Sequence, residues 1–508
     1  MTADICILVE GTYPYVPGGV SAWIQALIRN LPQFTFCVVY VGSLPEARGK
    51  QVYQLPENVV EFREFFIHDT QWTRHEHAPK HDQALWSALR EFHLHRPAGS
   101  ATAATSIGRD VCRRVPNDIT PYDLLYAPQS WQMIVDLYTE RAADCAFMDY
   151  FWTFRFTHLP ILNLLQAEIP KASVYHAISA GYNALLGCLA KIRYGAPLLM
   201  TEHGIYTRER DIEIAQLDWI RGIPQSQFVL SSTPGYLQQW WSNMFRFMAT
   251  FSYELSDRVI SITAANQQYQ LHNGADPDKM MVIPNGVDVE RLSVSPPKHV
   301  HSGDRFVVGF VGRVVGIKDV KTFVRAIKIA AAAIPNVQAF IVGPEGEEAE
   351  YAAQCHALVE RLGLSTVIQF TGPQDVREYY KQMDVLVLTS LSEAQPLVIL
   401  EAYCFGVPVV ATEVGACREL LEGITVEDRA LGPSGLITPP AHPRATADAL
   451  LQLWQDERLW SRMSKAGYER VRRFYRQEDL YAAYNNLYRR FIQLSPVVSE
   501  GRWATWPA

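Results

Sequence analysis

The run Asp384-Val385-Leu386-Val387-Leu388-Thr389, followed by Ser392-Glu393-Ala394-Gln395-Pro396-Leu397-Val398-Ile399-Leu400-Glu401-Ala402, decides how this chain is read. The first segment is a short continuous apolar run of the kind that forms a buried strand. The second carries two glutamates around seven residues, five of them apolar. Strand, turn and helix in that order put both carboxylates at the carboxyl edge of an α/β sheet, where open α/β folds bind ligands. Pro396 suits the first helical turn, because the N–H it lacks would have no partner there. Glu393 then falls on the loop and Glu401 inside the helix, near its start. Two glutamates alone would equally suit a solvated helix face, so the residues upstream carry the weight.

Upstream, Phe306-Val307-Val308-Gly309-Phe310-Val311-Gly312-Arg313 reads as a buried strand entering a glycine turn. Val314-Val315-Gly316-Ile317-Lys318-Asp319 leads on to a helical pattern from Val320 to Ile327. Glycines let backbone approach a ligand closely. Arg313 and Lys318 set two cations beside a helix N-terminus, where an anion is already favoured. Arginine forks onto two phosphate oxygens and lysine acts as a point charge, so the pair suits a diphosphate. Near the N-terminus, Gly18-Gly19 follows a strand pattern and precedes a helical one, and such a loop offers backbone N–H groups to phosphate. It is not a dinucleotide fingerprint, which disfavours a Rossmann dehydrogenase. His176 and His203 each close a strand pattern, and Glu202, Arg208 and Arg210 crowd His203.

The chain has 508 residues, too many for one core, so two or three domains are expected. With 48% apolar and 19% charged residues it has the composition of a soluble globular protein. A net charge of −7 and the lack of a lysine-rich run argue against nucleic-acid binding. The N-terminal apolar run is too short for a signal peptide, and no stretch is long enough to span a membrane. Eight dispersed cysteines without a CxxC pair read as reduced, mostly buried thiols of a cytoplasmic protein. The stretch Arg462, Lys465, Arg470, Arg472, Arg473 and Arg476 reads as a solvated helix face.

Strand patterns recur at 5–9, 36–41, 173–176, 197–201, 258–262 and 279–283, then at 306–311, 338–342, 367–370, 384–389, 407–411 and 434–437. Between them lie helical patterns, an alternation that implies parallel sheets. The rhythm weakens over 42–170, which reads as an insertion, helical around 83–95 and 121–167. Pro284-Asn285-Gly286-Val287-Asp288 is turn chemistry, and 293–304, with Pro296 and Pro297, reads as a linker. The expected division is an N-terminal domain over 1–292, a C-terminal domain over 305–475, and a helical tail over 476–508.

G-R-x(4)-K-D at 312–319, Phe340-Ile341-Val342-Gly343-Pro344-Glu345, Phe370-Thr371-Gly372 and E-x7-E occur in this order. Together they resemble the retaining GT-B glycosyltransferases of family GT4. The stretches Glu10–Trp23 and Thr201–Arg210 sharpen this, and most of the chain resembles the PelF proteins of bacterial Pel exopolysaccharide synthesis. The resemblance implies a GT-B fold of two doubly wound Rossmann-like domains facing across a cleft, with the tail crossing back to the first. It implies transfer of a hexose or N-acetylhexosamine from a UDP-sugar to a growing polysaccharide, which enters from the first domain and is exported by membrane-embedded Pel subunits. The chain itself would be cytoplasmic, or peripheral at the inner membrane through those partners.

By the same resemblance the base lies near Phe370-Thr371-Gly372, Glu401 takes the ribose diol, Arg313 and Lys318 take the diphosphate, and Glu393 meets the sugar. Gly18, Gly19, Gly372, Gln395, Leu397, Val398 and Glu401 would hold the donor; Arg313, Lys318, Glu393 and a histidine would act on it. Many GT4 enzymes carry H-x-H where this chain has His176-Ala177-Ile178, so His176 and His203 both stand as candidates. Family members read E-G-F-G-x-P after the first glutamate, with loop amides on the hexose hydroxyls. Here Pro396 has no N–H, and Gln395 is expected to supply an amide side chain instead. His68, His75, His77, His81, His93 and His95 gather in the insertion without acidic or cysteine partners at zinc spacing, and GT4 enzymes need no metal, so no metal or other cofactor is expected. A rival reading is a GT-B-shaped subunit that binds nucleotide sugar as a sensor or scaffold without turnover; the intact E-x7-E and both cations weigh against it.

Overall fold

A computed structural model of the protein describes residues 2–69, 83–94, 108–109, 111–113, 119–143, 145–216, 235–292 and 305–496. The linker at 293–304 and His75, His77, His81 and His95 lie outside these residues. The chain divides into two units. The first comprises Met1–Ser261, Gln267–Met281 and Tyr484–Ala508; the second comprises Ile262–Asn266 and Val282–Ala483.

In the first unit, apolar runs become a parallel sheet: β1 (Ala3–Glu10), β2 (Phe36–Gly42), β3 (Val59–Phe66), β4 (Ala172–Ala177), β5 (Leu198–Glu202), β6 (Arg258–Ser261) and β7 (Met280–Val282), in the order β3-β2-β1-β4-β5-β6-β7. The order reverses between β1 and β4, which pair in register at Ile5↔Val174 and Ile7↔His176. β3 falls inside the span read from sequence as insertion. Its charged residues Glu61, Arg63 and Glu64 keep it on the sheet edge, where alternation is incomplete and exposed backbone is shielded by charge. The segment at 121–167 is three helices: Pro121–Tyr126, Pro128–Arg141 and Phe147–Leu165.

The core of this unit has a late contribution. Tyr484 and Tyr488, on the helix Gln477–Gln493, are fully buried in it. Their rings lie 5.6 and 5.7 Å from the His176 ring.

The second unit carries β8 (Phe306–Val311), β9 (Val337–Val342), β10 (Ile368–Gly372), β11 (Val385–Leu388), β12 (Val409–Thr412) and β13 (Gly435–Thr438), ordered β10-β9-β8-β11-β12-β13. The reversal falls between β8 and β11, so the loops after these two strands share one crevice. The turn after β9 approaches that after β8 closely. A Cβ on Gly343, whose φ is +151°, would lie 2.1 Å from the Gly312 carbonyl oxygen, and only glycine fits.

One reading of the basic stretch changes. Arg470, on the helix Glu457–Phe474, is fully buried and not on a solvated face. All five of its N–H donors find acceptors: the Asp428 carboxylate at 2.5 Å, Ser434 Oγ at 2.7 Å, and the carbonyls of Leu421, Asp428 and Gly432. Seven of the eight cysteines are buried. Among the described residues no helix is long and apolar enough to cross a membrane.

Candidate functional site

The β8–β11 crevice gathers the chemistry of the second unit. After β8 the chain makes a 3₁₀ turn, Gly316–Lys318, and Asp319 in the left-handed conformation (φ 46°) caps the helix Val320–Ala330 by accepting from the Thr322 N–H. At the end of β11, the Thr389 hydroxyl donates to the carbonyls of Lys318 and Asp319, at 3.1 and 2.9 Å. This fixes the cationic loop against the neighbouring strand. Lys318 Nζ reaches Glu393 Oε1 at 2.5 Å, and Ser390 Oγ donates to the same oxygen at 2.6 Å. The Ser390 carbonyl in turn accepts from Thr412 Oγ1 at 2.6 Å. Gly415, which sequence reasoning passed over, lies against this loop. With φ at +50° its Cβ would sit 2.0 Å from the Glu393 carbonyl oxygen. The Val414-Gly415-Ala416 turn after β12 was the available signal.

Pro396 is the N-cap of the helix Leu397–Cys404, one residue before the position expected for it. Glu401 accepts from Tyr380 Oη at 2.9 Å, and burial pushes its carboxyl above the ordinary range. Leu397 and Val398 pack against the core on the same helix. Gly372 ends β10 with φ at +66° and open space where a side chain would be. Beside it, the His356 ring lies 3.9 Å from that of Phe370, and its Nε2 meets Glu345 at 2.6 Å.

Two of the residues expected to meet the donor bond to the protein itself. One guanidinium nitrogen of Arg313, the residue expected on the diphosphate, holds both oxygens of Glu347 at 2.5 and 2.6 Å. The adjacent Glu348 accepts from the Gly316 N–H at 2.9 Å. The two ends of the Gln395 amide clasp the backbone of Asn285, accepting from its N–H at 2.8 Å and donating to its carbonyl at 3.3 Å. Its role is to tie the E-x7-E loop to the Pro284–Asp288 turn.

In the first unit, Gly18 and Gly19 open the helix Gly19–Arg29, whose N-terminus has no side-chain cap and whose glycines face open space. The two candidate histidines differ in setting, and His176 is turned inward. It is fully buried, with Nδ1 2.7 Å from Tyr488 Oη and Nε2 2.8 Å from Thr201 Oγ1, so both ring nitrogens are spent inside the core. Burial lowers its pKa to about 3. His203 is half-buried, its Nε2 has no partner among the described residues, and its ring meets Trp23 edge-on at 4.7 Å. Burial lowers its pKa to about 4, which keeps it neutral and able to accept a hydrogen bond at neutral pH. Beside it Glu202 is held by Tyr253, Gln270 and the Tyr206 N–H, and Glu10 receives the Tyr182 N–H at 2.7 Å and Tyr206 Oη at 3.0 Å. Among the described residues no three of His, Cys, Asp and Glu gather as metal ligands would.

This geometry meets the comparisons with known proteins at the level of the half-chain. Residues 3–278 match the family model described as Domain of unknown function (DUF3492), more than half of the chain. The chain belongs to the DUF3492 family. In this DUF3492 protein, residues 305–456 match the model described as Glycosyl transferases group 1, which covers β8 to β13 and the whole E-x7-E segment.

A D-inositol 3-phosphate glycosyltransferase of Streptomyces bingchenggensis is 29% identical over 43% of this chain and 50% of its own length. The counterpart in Mycobacteroides abscessus is 27% identical over 57% and 61%. The chain spans about half the length of the curated relatives it matches. Among solved structures, sucrose-phosphate synthase of Thermosynechococcus elongatus superposes with a TM-score of 0.58 at 18% identity, over 97% of this chain and 100% of that one. Anabaena HepE in complex with UDP gives 0.57 at 14% identity, over 95% and 99%. The fold is GT-B.

Proposed function

We propose that this protein is a retaining GT4 hexosyltransferase, moving a hexose or N-acetylhexosamine from a UDP-sugar to a growing exopolysaccharide of the Pel type. One observation carries the reading. Lys318, Glu393 and Glu401 come from the loops and helix that follow β8 and β11, the two strands flanking the switch point of the second sheet. UDP as the carrier is supported by HepE, a fold neighbour whose structures hold UDP and UDP-glucose.

In this reading Glu401 takes the ribose hydroxyls, and Tyr380 holds its carboxylate in place. Lys318 and Arg313 face the diphosphate. An ammonium has three donors, so bonding Glu393 leaves capacity for phosphate oxygens. Glu393 accepts from a hydroxyl of the sugar. The acceptor oxygen attacks the anomeric carbon on the face from which the diphosphate leaves. The carbon–phosphate-oxygen bond breaks, its electron pair goes to the phosphate, and the acceptor proton passes to that phosphate. Negative charge grows on the leaving group, so a fixed cation stabilises the transition state more than the bound donor. Of the two candidate histidines, His203, neutral and with no partner for its Nε2 among the described residues, is the one able to accept a hydrogen bond. The polymer would pass to membrane-embedded Pel subunits that hold the protein at the cytoplasmic face of the inner membrane.

Purified protein incubated with UDP-glucose, UDP-N-acetylglucosamine and UDP-N-acetylgalactosamine tests this. Acceptor-dependent UDP release from at least one is expected. Tight binding without release from any would instead make the protein a sensor or scaffold.

A further inference from the structure

Glu393 has two oxygens, and the structure treats them unequally. Oε1 takes both Lys318 Nζ, at 2.5 Å, and Ser390 Oγ, at 2.6 Å. Among the described residues no group donates to Oε2, yet the Glu393 side chain is only 10% exposed. Ser390 is itself fully buried at the end of β11, and its carbonyl is pinned by Thr412. Its hydroxyl therefore points from the rigid sheet into the loop. Without that hydroxyl, a carboxylate beside an ammonium gains by turning both oxygens toward it, since the attraction rises as the charges close. Such a turn would withdraw the oxygen that a ligand needs and bind Lys318 more tightly to protein.

We propose that Ser390 is a positioning residue for sugar transfer. It holds Glu393 Oε1 beside Lys318 so that Oε2 stays turned to the donor sugar. This rests on the donor site proposed above. The hydroxyl acts on one carboxylate only, so its effect belongs to the sugar and not to the nucleotide. Removing it weakens a charge-assisted hydrogen bond network at the sugar by roughly ten-fold in affinity.

The test compares the wild type, Ser390→Ala and Ser390→Thr by calorimetry, with UDP and with whichever of the three UDP-sugars the wild type binds best, together with steady-state turnover. Ser390→Ala should bind UDP within about two-fold of the wild type while losing about ten-fold toward the UDP-sugar, and kcat should fall with it. Ser390→Thr, which keeps the hydroxyl, should restore both. If Ser390→Ala keeps the wild-type preference for UDP-sugar over UDP, or loses UDP and UDP-sugar affinity equally, the serine is only structural and the proposal fails. If Ser390→Thr folds but does not restore the preference, the hydroxyl is not the acting group and the proposal likewise fails. A wild type that binds UDP no better than buffer would overturn the donor site itself, and this role with it, a result separate from any variant.

Discussion

At the scale of single residues, Lys318 and Glu401 carry the sharpest expectations. Lys318→Ala should lower kcat by about 10²–10³ with a much smaller rise in donor KM, because the charge it meets appears as the bond breaks. A normal kcat with only a raised KM would make the lysine a binding group. Glu401→Gln should weaken UDP and UDP-sugar alike by roughly ten-fold, the worth of a hydrogen bond to a charged group. Its carboxyl is pushed up by burial. Nucleotide affinity should therefore decline on acidification at a higher pH than an ordinary carboxylate would cause, and Glu401→Gln should remove that decline. His176 gives a stability test of opposite origin. Its folded pKa is about 3, against about 6.5 when unfolded. Below pH 6.5 the unfolded chain takes up a proton that the folded one refuses, so stability is lost as pH falls toward 4, by about 1.4 kcal/mol per unit. The advantage of the wild type over His176→Gln, followed by denaturant unfolding, should shrink across that window.

At the scale of elements, the loop between β9 and the helix Ala349–Arg361 behaves as a block of internal anions. Glu347 occupies Arg313 and Glu348 the Gly316 N–H. If those groups receive the donor diphosphate, Glu347→Gln should raise UDP affinity by about two- to five-fold at low salt, the worth of an exposed ion pair, and less at high salt. Unchanged or weaker affinity would place Arg313 outside the diphosphate site. Sequence reading could not foresee this competition, since nothing in Gly-Pro-Glu-Gly-Glu-Glu says which way its carboxylates turn. The buried strands of the second sheet were legible because continuous apolar runs between turn signals have one economical reading. The edge strand β3 was not, since its charged alternation also suits an exposed loop. The burial of His176 was hidden for a related reason. A strand-end histidine looks like an active group until its partners, Tyr488 and Thr201, are known, and one of them lies 312 residues away. The bonds of Gln395 were hidden likewise, because its partner, the Asn285 backbone, is 110 residues distant.

At the scale of the whole molecule, the buried Asp428–Arg470 pair and the late tyrosines show where each unit is vulnerable. Arg470→Met should destabilise the second unit by about 3–5 kcal/mol, because it strands a buried carboxylate, and differential scanning calorimetry would register it. Tyr484→Ala should cost the first unit about 3–5 kcal/mol through the cavity it leaves and the hydrogen bond lost to Thr201. That tyrosine lies outside residues 3–278, so the stretch of this chain that matches the DUF3492 model lacks part of the first unit's core. The consequence concerns time. On a ribosome, β7 emerges roughly 200 residues before Tyr484, a delay of about 10–40 s at 5–20 residues per second. Throughout that interval the nascent first unit must wait without the tyrosine hydroxyls that meet His176 Nδ1 and Thr201 Oγ1, that part of its core open to whatever chaperone stands at the tunnel exit.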